Sequence, residues 1–147
     1  MTVLDISDQL ATAFAPTTGT SSPAGVYIDR LIKMYDGMGA SVIFYGNIAS
    51  QMTSGGSATV DFILQGDNDP AFGTAATVCE TGAVAVASLV AGYEFKIKIP
   101  RLPTAYRYYR LAVTIAVANL TGGSVNAWLT NDDMQDNVSY AAGYTVA

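Results

Sequence analysis

In two segments, Tyr93–Pro100 and Tyr106–Val117, the chain alternates in character every second residue. That period restricts it to extended backbone, because successive side chains of a strand point to opposite faces. In Tyr93–Pro100, Phe95, Ile97 and Ile99 share one face, and Glu94, Lys96 and Lys98 the other. In Tyr106–Val117, Tyr109, Leu111, Val113, Ile115 and Val117 lie opposite Tyr108, Arg110, Ala112, Thr114 and Ala116. After a turn expected over Asn119–Gly123, Ser124–Thr130 sets Asn126 and Trp128 against Val125, Ala127 and Leu129. Upstream, Ser41–Ala49 carries Val42, Phe44 and Ile48 on one face, and Ala58–Gln65 carries Val60, Phe62 and Leu64. Val26–Ile28, Thr77–Thr81 and Val84–Ala87 are shorter candidates. Asp36-Gly37, Thr53–Gly56, Asp67–Pro70 and Ala91-Gly92 supply turn signals between them. About eight short strands with such punctuation predict an all-β, single-domain jelly roll or β-sandwich over residues 25–147.

Residues 1–24 read differently. Ile6, Leu10 and Ala13 or Phe14 recur at weak helical spacing, and the following APTTGTSSPAG is rich in turn residues. The expectation is an extended N-terminal arm whose Ile6, Leu10 and Phe14 order against a neighbour. The opening MTVLDISDQL lacks the basic start and apolar run of a secretory signal, and no apolar run approaches a membrane helix.

A chain of 147 residues can bury a real core as one domain. Half of it is apolar and 13% is charged, against about 25% in a typical soluble domain. Small polar residues replace the missing charges, giving a surface that is easily desolvated and suits protein contacts. The net charge of −5 argues against direct nucleic-acid binding. Five of the seven basic residues nevertheless fall between Lys96 and Arg110, while Asp132, Asp133 and Asp136 lie near the end. A basic strip of this kind suits an acidic protein surface.

Chemistry-bearing constellations are sparse. There is no histidine, so no Ser-His or Cys-His nucleophile system. Cys79, alone, forms no internal disulfide and is expected as a small buried hydrophobe. Asp67-Asn68-Asp69 begins like a calcium loop, but Pro70 breaks the register and an Asx-turn is expected. Nothing in the spacing fixes a carboxylate pair among Asp61, Asp67, Glu80 and Glu94 at the separation glycoside hydrolysis needs. The sequence therefore reads as non-enzymatic, without cofactor or metal. The most distinctive run is Tyr106-Arg107-Tyr108-Tyr109-Arg110, because Tyr and Arg concentrate at interface hot spots. Tyr106, Tyr108, Arg110 and Trp128 are the candidate contact residues of the folded domain.

The order of short motifs resembles the capsid cement, or head decoration, proteins of tailed bacteriophages. The elements are Gly56 to Leu64, the turn Asp67 to Asp69, Leu89 to Tyr93, Ile99-Pro100, Tyr109 to Leu111, Leu120 to Val125, and Asp132-Asp133. Residues 50–133 carry the resemblance, and Ile6-Ser7-Asp8 fits the family's opening. The chain departs from the pattern in residues 29–50, where RLIKMYDGMGA replaces a Gly- and Arg-containing loop. The resemblance implies a jelly roll on the outer surface of a virion, made in the bacterial host cytoplasm. Its implied partners are the major capsid protein and further copies of itself, a dimer first and a trimer next. It implies no membrane. The second class consistent with the composition is a β-sandwich carbohydrate-binding module or adhesin, with Tyr and Trp stacking on sugars. A glycosidase- or lyase-type enzyme is the third.

Overall fold

The computed structural model describes residues 9–34, 42–99 and 106–131. They form ten strands and one short 3-10 turn at Val86–Ser88. The strands are β1 (Gln9–Phe14), β2 (Thr20–Ser21), β3 (Ile28–Met34), β4 (Val42–Ser54) and β5 (Thr59–Asp67). After them come β6 (Ala76–Glu80), β7 (Val84–Ala85), β8 (Glu94–Lys98), β9 (Tyr106–Ala116) and β10 (Leu120–Asn131).

Pairing is antiparallel throughout and nested. β1 pairs with β10, β2 and β3 pair with β9, β4 pairs with β8, and β5 pairs with β6 and β7. Two further pairings, β4 with β10 and β5 with β9, join these into two sheets. One sheet runs β1-β10-β4-β8, and the other centres on β9 and β5. The chain therefore rolls up as a folded-over long hairpin, which is the jelly-roll order. The expected all-β sandwich is what forms.

The core lies between the inner faces. Val60, Phe62 and Leu64 meet Leu111 and Val113 from the second sheet and Phe44, Val125, Ala127 and Leu129 from the first. Phe95 bridges the layers, stacked on Phe62 at 4.8 Å and edge-on to Phe44 at 5.3 Å. Its ring needs a glycine opposite. A Cβ on Gly46, its partner across the strands, would stand 2.2 Å from the ring tip.

Three local expectations are corrected. The described part of the N-terminal segment is neither helical nor a separate arm. Gln9–Phe14 is a strand of the first sheet, and Leu10 is fully buried in this chain's own core. Two register shifts within six residues, and a positive φ at Ala13, break the period of two that would have betrayed a strand. Second, the turn before β10 is shorter than expected. The strand starts at Leu120, and register shifts near Gly122 and Ser124 let Thr121, Gly122 and Gly123 stay in the ladder. Third, Val117 does not continue the inner face. It sits in the hairpin turn at φ +74 and is 81% exposed. Asp36-Gly37 and Ile6 lie outside the described residues.

Candidate protein-interaction site

The site begins at the end of β5. Asp67 is buried, and its carboxylate accepts hydrogen bonds from the backbone N–H groups of Asn68 (2.6 Å), Asp69 (3.3 Å) and Thr74 (2.9 Å). The Thr74 hydroxyl donates to it as well, at 3.2 Å. Burial alone would raise its pKa, but these donors prevail and hold it below the usual carboxylate range. The expected Asx-turn is present, and Asp69 repeats it with the N–H of Ala71 at 3.0 Å. No group of three potential metal ligands occurs among the described residues.

This socket folds the β5–β6 loop back onto the outer face of β5 and β9. Phe72 N–H donates to the Asp69 carbonyl at 2.9 Å, and Phe72 adopts φ +54, a conformation uncommon for a bulky residue. The strain is borne because it lays the Phe72 ring beneath Arg110, whose guanidinium carbon stands 4.4 Å from the ring centre. Arg110 Nε donates to Gln65 Oε1 at 2.9 Å across the strand pair. Its terminal nitrogens make no hydrogen bond among the described residues. Desolvation lowers the Arg110 pKa, with Asp67 opposing it.

Tyr27 completes the platform. It is 42% exposed and edge-on to both Phe72 (6.2 Å) and Tyr108 (5.5 Å). Arg107 lies over the Tyr108 ring at 4.9 Å, but its fork is already taken. Nε and Nη2 donate to the two oxygens of Asp29 at 2.7 and 3.0 Å. Two guanidiniums three residues apart therefore differ in kind, one closed by a carboxylate and one whose terminal nitrogens have no acceptor among the described residues.

The structure scatters the other candidates. Tyr106 leaves the exposed strip, its ring packing over Gly66 and edge-on to Tyr109 at the margin of the core. It can do so because a Cβ at Gly66 would stand 2.8 Å from that ring. Phe14 is half-buried against the core. Trp128 lies on the outer face of the opposite sheet, stacked on Tyr45 at 5.8 Å. The Tyr45 hydroxyl donates to Glu94 at 2.5 Å, and burial first, then that carboxylate, raises its pKa. Tyr108 and Arg110 are thus the two sequence candidates that share a site. Tyr27, Phe72 and Asp29 were missed. Asp67-Asn68-Asp69 signalled the turn, but nothing nearby signalled which ring it would carry.

Elsewhere, Cys79 is half-buried against the core, and burial, aided by Glu80, pushes its thiol up to about 12. Asp61 accepts from Gly82 N–H at 3.1 Å and, beside Glu80, raises the Glu80 pKa. An apolar groove of about 410 Å³ lies at the far end of β5, lined by Gly56, Ala58, Thr59, Ala85, Val86 and neighbours. No helix among the described residues is long and apolar enough to cross a membrane.

No curated protein matches this sequence significantly. The model of one protein family, described as Bbp16, matches it over residues 10–129, from the buried start of β1 to the buried end of β10. The match takes in both sheets and the whole Asp67–Arg110 platform, so the chain belongs to the Bbp16 family.

Proposed function

We propose that this protein is a structural component of a phage virion, a cement protein that binds the outer surface of the head and stabilises the mature capsid lattice by bridging major capsid subunits. The observation that carries the reading is the Tyr27–Phe72–Tyr108–Arg110 platform. It is an aromatic-guanidinium surface on a sheet, of the composition found at protein interface hot spots. The ordered motifs that resemble capsid cement proteins support the major capsid protein as the partner. Gly56 to Leu64, Leu89 to Tyr93 and Tyr109 to Leu111 all lie in strands and turns of the roll.

The physical logic is differential binding. A subunit that contacts only the expanded lattice lowers the free energy of that state alone. Many copies, each touching more than one subunit, multiply the effect through effective concentration. Such a protein works without catalysis, and its copies associate on the particle, a dimer first and a trimer next. A stiff roll suits the task, since little order remains to be lost on docking.

The experiment is co-sedimentation of the full chain with mature undecorated heads and with immature shells. Binding to mature heads alone is expected, with greater resistance of the decorated heads to heating. Equal binding to both shells, or binding to neither, overturns the reading. A glycan array run alongside separates it from the carbohydrate-binding class.

A further inference from the structure

The platform also points to what it would hold. Arg110 is half-buried, with one face on Phe72 and Nε fixed by Gln65, so its plane is set before any partner arrives. Its terminal nitrogens have no acceptor among the described residues. Asp67 is saturated by the loop it organises, and Asp29 holds Arg107. A planar, preoriented guanidinium edge matches a carboxylate in two-pronged fashion, and holding it in place beforehand reduces the entropy lost on pairing. The wall beside it is apolar and aromatic, with Tyr27 exposed. A bare anion has no use for that wall, whereas a chain segment with an acidic residue next to an apolar one would use both.

We infer that Arg110, on the Phe72–Tyr27 platform, is the seat for a carboxylate presented by an acidic, apolar-flanked loop of the partner protein. The inference rests on the shell-binding reading for the partner's identity but not for the chemistry of the seat. Arg107 is not part of the seat, because Asp29 closes it. Charge complementarity selects the occupant, and the strained Phe72 turn keeps the seat preformed.

Two measurements test this. In the first, the full chain is titrated with poly-L-glutamate while the Arg Nε–H signals are followed by NMR. The Arg110 signal is expected to shift and that of Arg107 to stay. No shift, or equal shifts, overturns the inference. Replacing Asp132, Asp133 and Asp136 by Asn in the full chain should leave the Arg110 signal in place. If that signal moves, the occupant is this chain's own C-terminal segment, and the inference is overturned.

In the second, co-sedimentation uses mature heads before and after amidation of their surface carboxylates with ethanolamine. Arg110→Gln should bind untreated heads about ten- to a hundredfold more weakly, the range for one charge-assisted contact at a hot spot. The wild-type chain should lose as much on amidated heads, and Arg110→Gln should lose nothing further there. Tyr27→Ser, at an exposed position, should weaken binding several-fold without changing its salt dependence. Unchanged binding of Arg110→Gln, with a wild-type melting temperature, overturns the seat. A chain that answers poly-L-glutamate at Arg110 yet fails to sediment with heads overturns the shell reading alone.

Discussion

The two ends of this roll are built from different chemistry. At one end, where β5 finishes and β9 starts, a buried carboxylate organises a loop, a phenylalanine sits at positive φ, and two guanidiniums lie on aromatic rings. At the other, where β4, β9 and β10 turn, the side chains are neutral and small. Hydroxyl pairs cross the strands there, Thr53 with Thr121 at 2.9 Å and Ser50 with Ser124 at 2.9 Å. Thr18 donates to Asn119 at 2.8 Å, and Gly123 packs against the backbone of Met52. The first end concentrates charge and strain on an exposed surface. The second closes the hairpins with weak neutral bonds. The lesson is that a single core can support a strained, charge-bearing surface at one end because register is secured elsewhere.

The strongest way to break this contrast is to remove the common frame. Val113→Asp would place an unpaired charge between the sheets, where Val113 is fully buried. The expected loss is about 3–5 kcal/mol, and both ends should melt together in thermal unfolding. Wild-type melting would mean that the inner and outer faces of β9 are reversed.

A smaller effect isolates the charged end. Asp67→Ala strips the acceptor from three backbone N–H groups, and about 2–3 kcal/mol should be lost by denaturant unfolding. Arg110 should lose its platform in the same variant, seen as a shift of its Nε–H signal. The pH dependence follows from the direction of the Asp67 shift. Its folded pKa is depressed, so its stabilisation is present above the unfolded value of about 3.9 and is lost as pH falls through the folded value. The gap between wild type and Asp67→Asn should therefore close on acidification.

At the neutral end, Gly123→Ala should cost about 2 kcal/mol. Its φ of +113 disfavours a side chain, and the new Cβ would stand 2.5 Å from Met52 Cα. No change in the Arg110 signal is expected, and a change would show that the ends are coupled. Thr53→Val at the same end removes one exposed hydroxyl pair and should cost less than about 1 kcal/mol.

The smallest effect has the opposite sign on the pH axis. Asp61 raises the Glu80 pKa, so the stabilisation from protonated Glu80 is present below its unfolded pKa and is lost as pH rises through the folded value. Glu80→Gln should remove that slope and leave the acid response of Asp67 untouched in pH-dependent melting.

How much of this was legible in the sequence divides along the same line. The inner faces at Val60-Phe62-Leu64 and Leu111-Val113-Ile115 were readable because alternation is a local property that burial enforces on each strand separately. The Asx-turn at Asp67 was readable for a similar reason, since its side chain bonds to backbone within a few residues. Leu10 misled because bulges erased the period of its strand. Tyr106 misled because alternation assigned it outward, while the missing side chain at Gly66 opened an inner berth.

By itself, then, the sequence determined an all-β chain, which faces of its longest strands are apolar, and the Asx-turn at Asp67. Only the tertiary structure decided that β1 closes on β10 and β5 on β9, and that Phe72, distant in sequence from Arg110 and Tyr27, lies between them. It also decided that Arg107 is closed by Asp29, whereas among the described residues Arg110 pairs only through Nε, with Gln65. The reason is physical. Periodicity and turn chemistry act over a few residues, whereas the pairing of strands and the stacking of rings on guanidiniums depend on contacts between segments far apart in the chain, which no local pattern encodes.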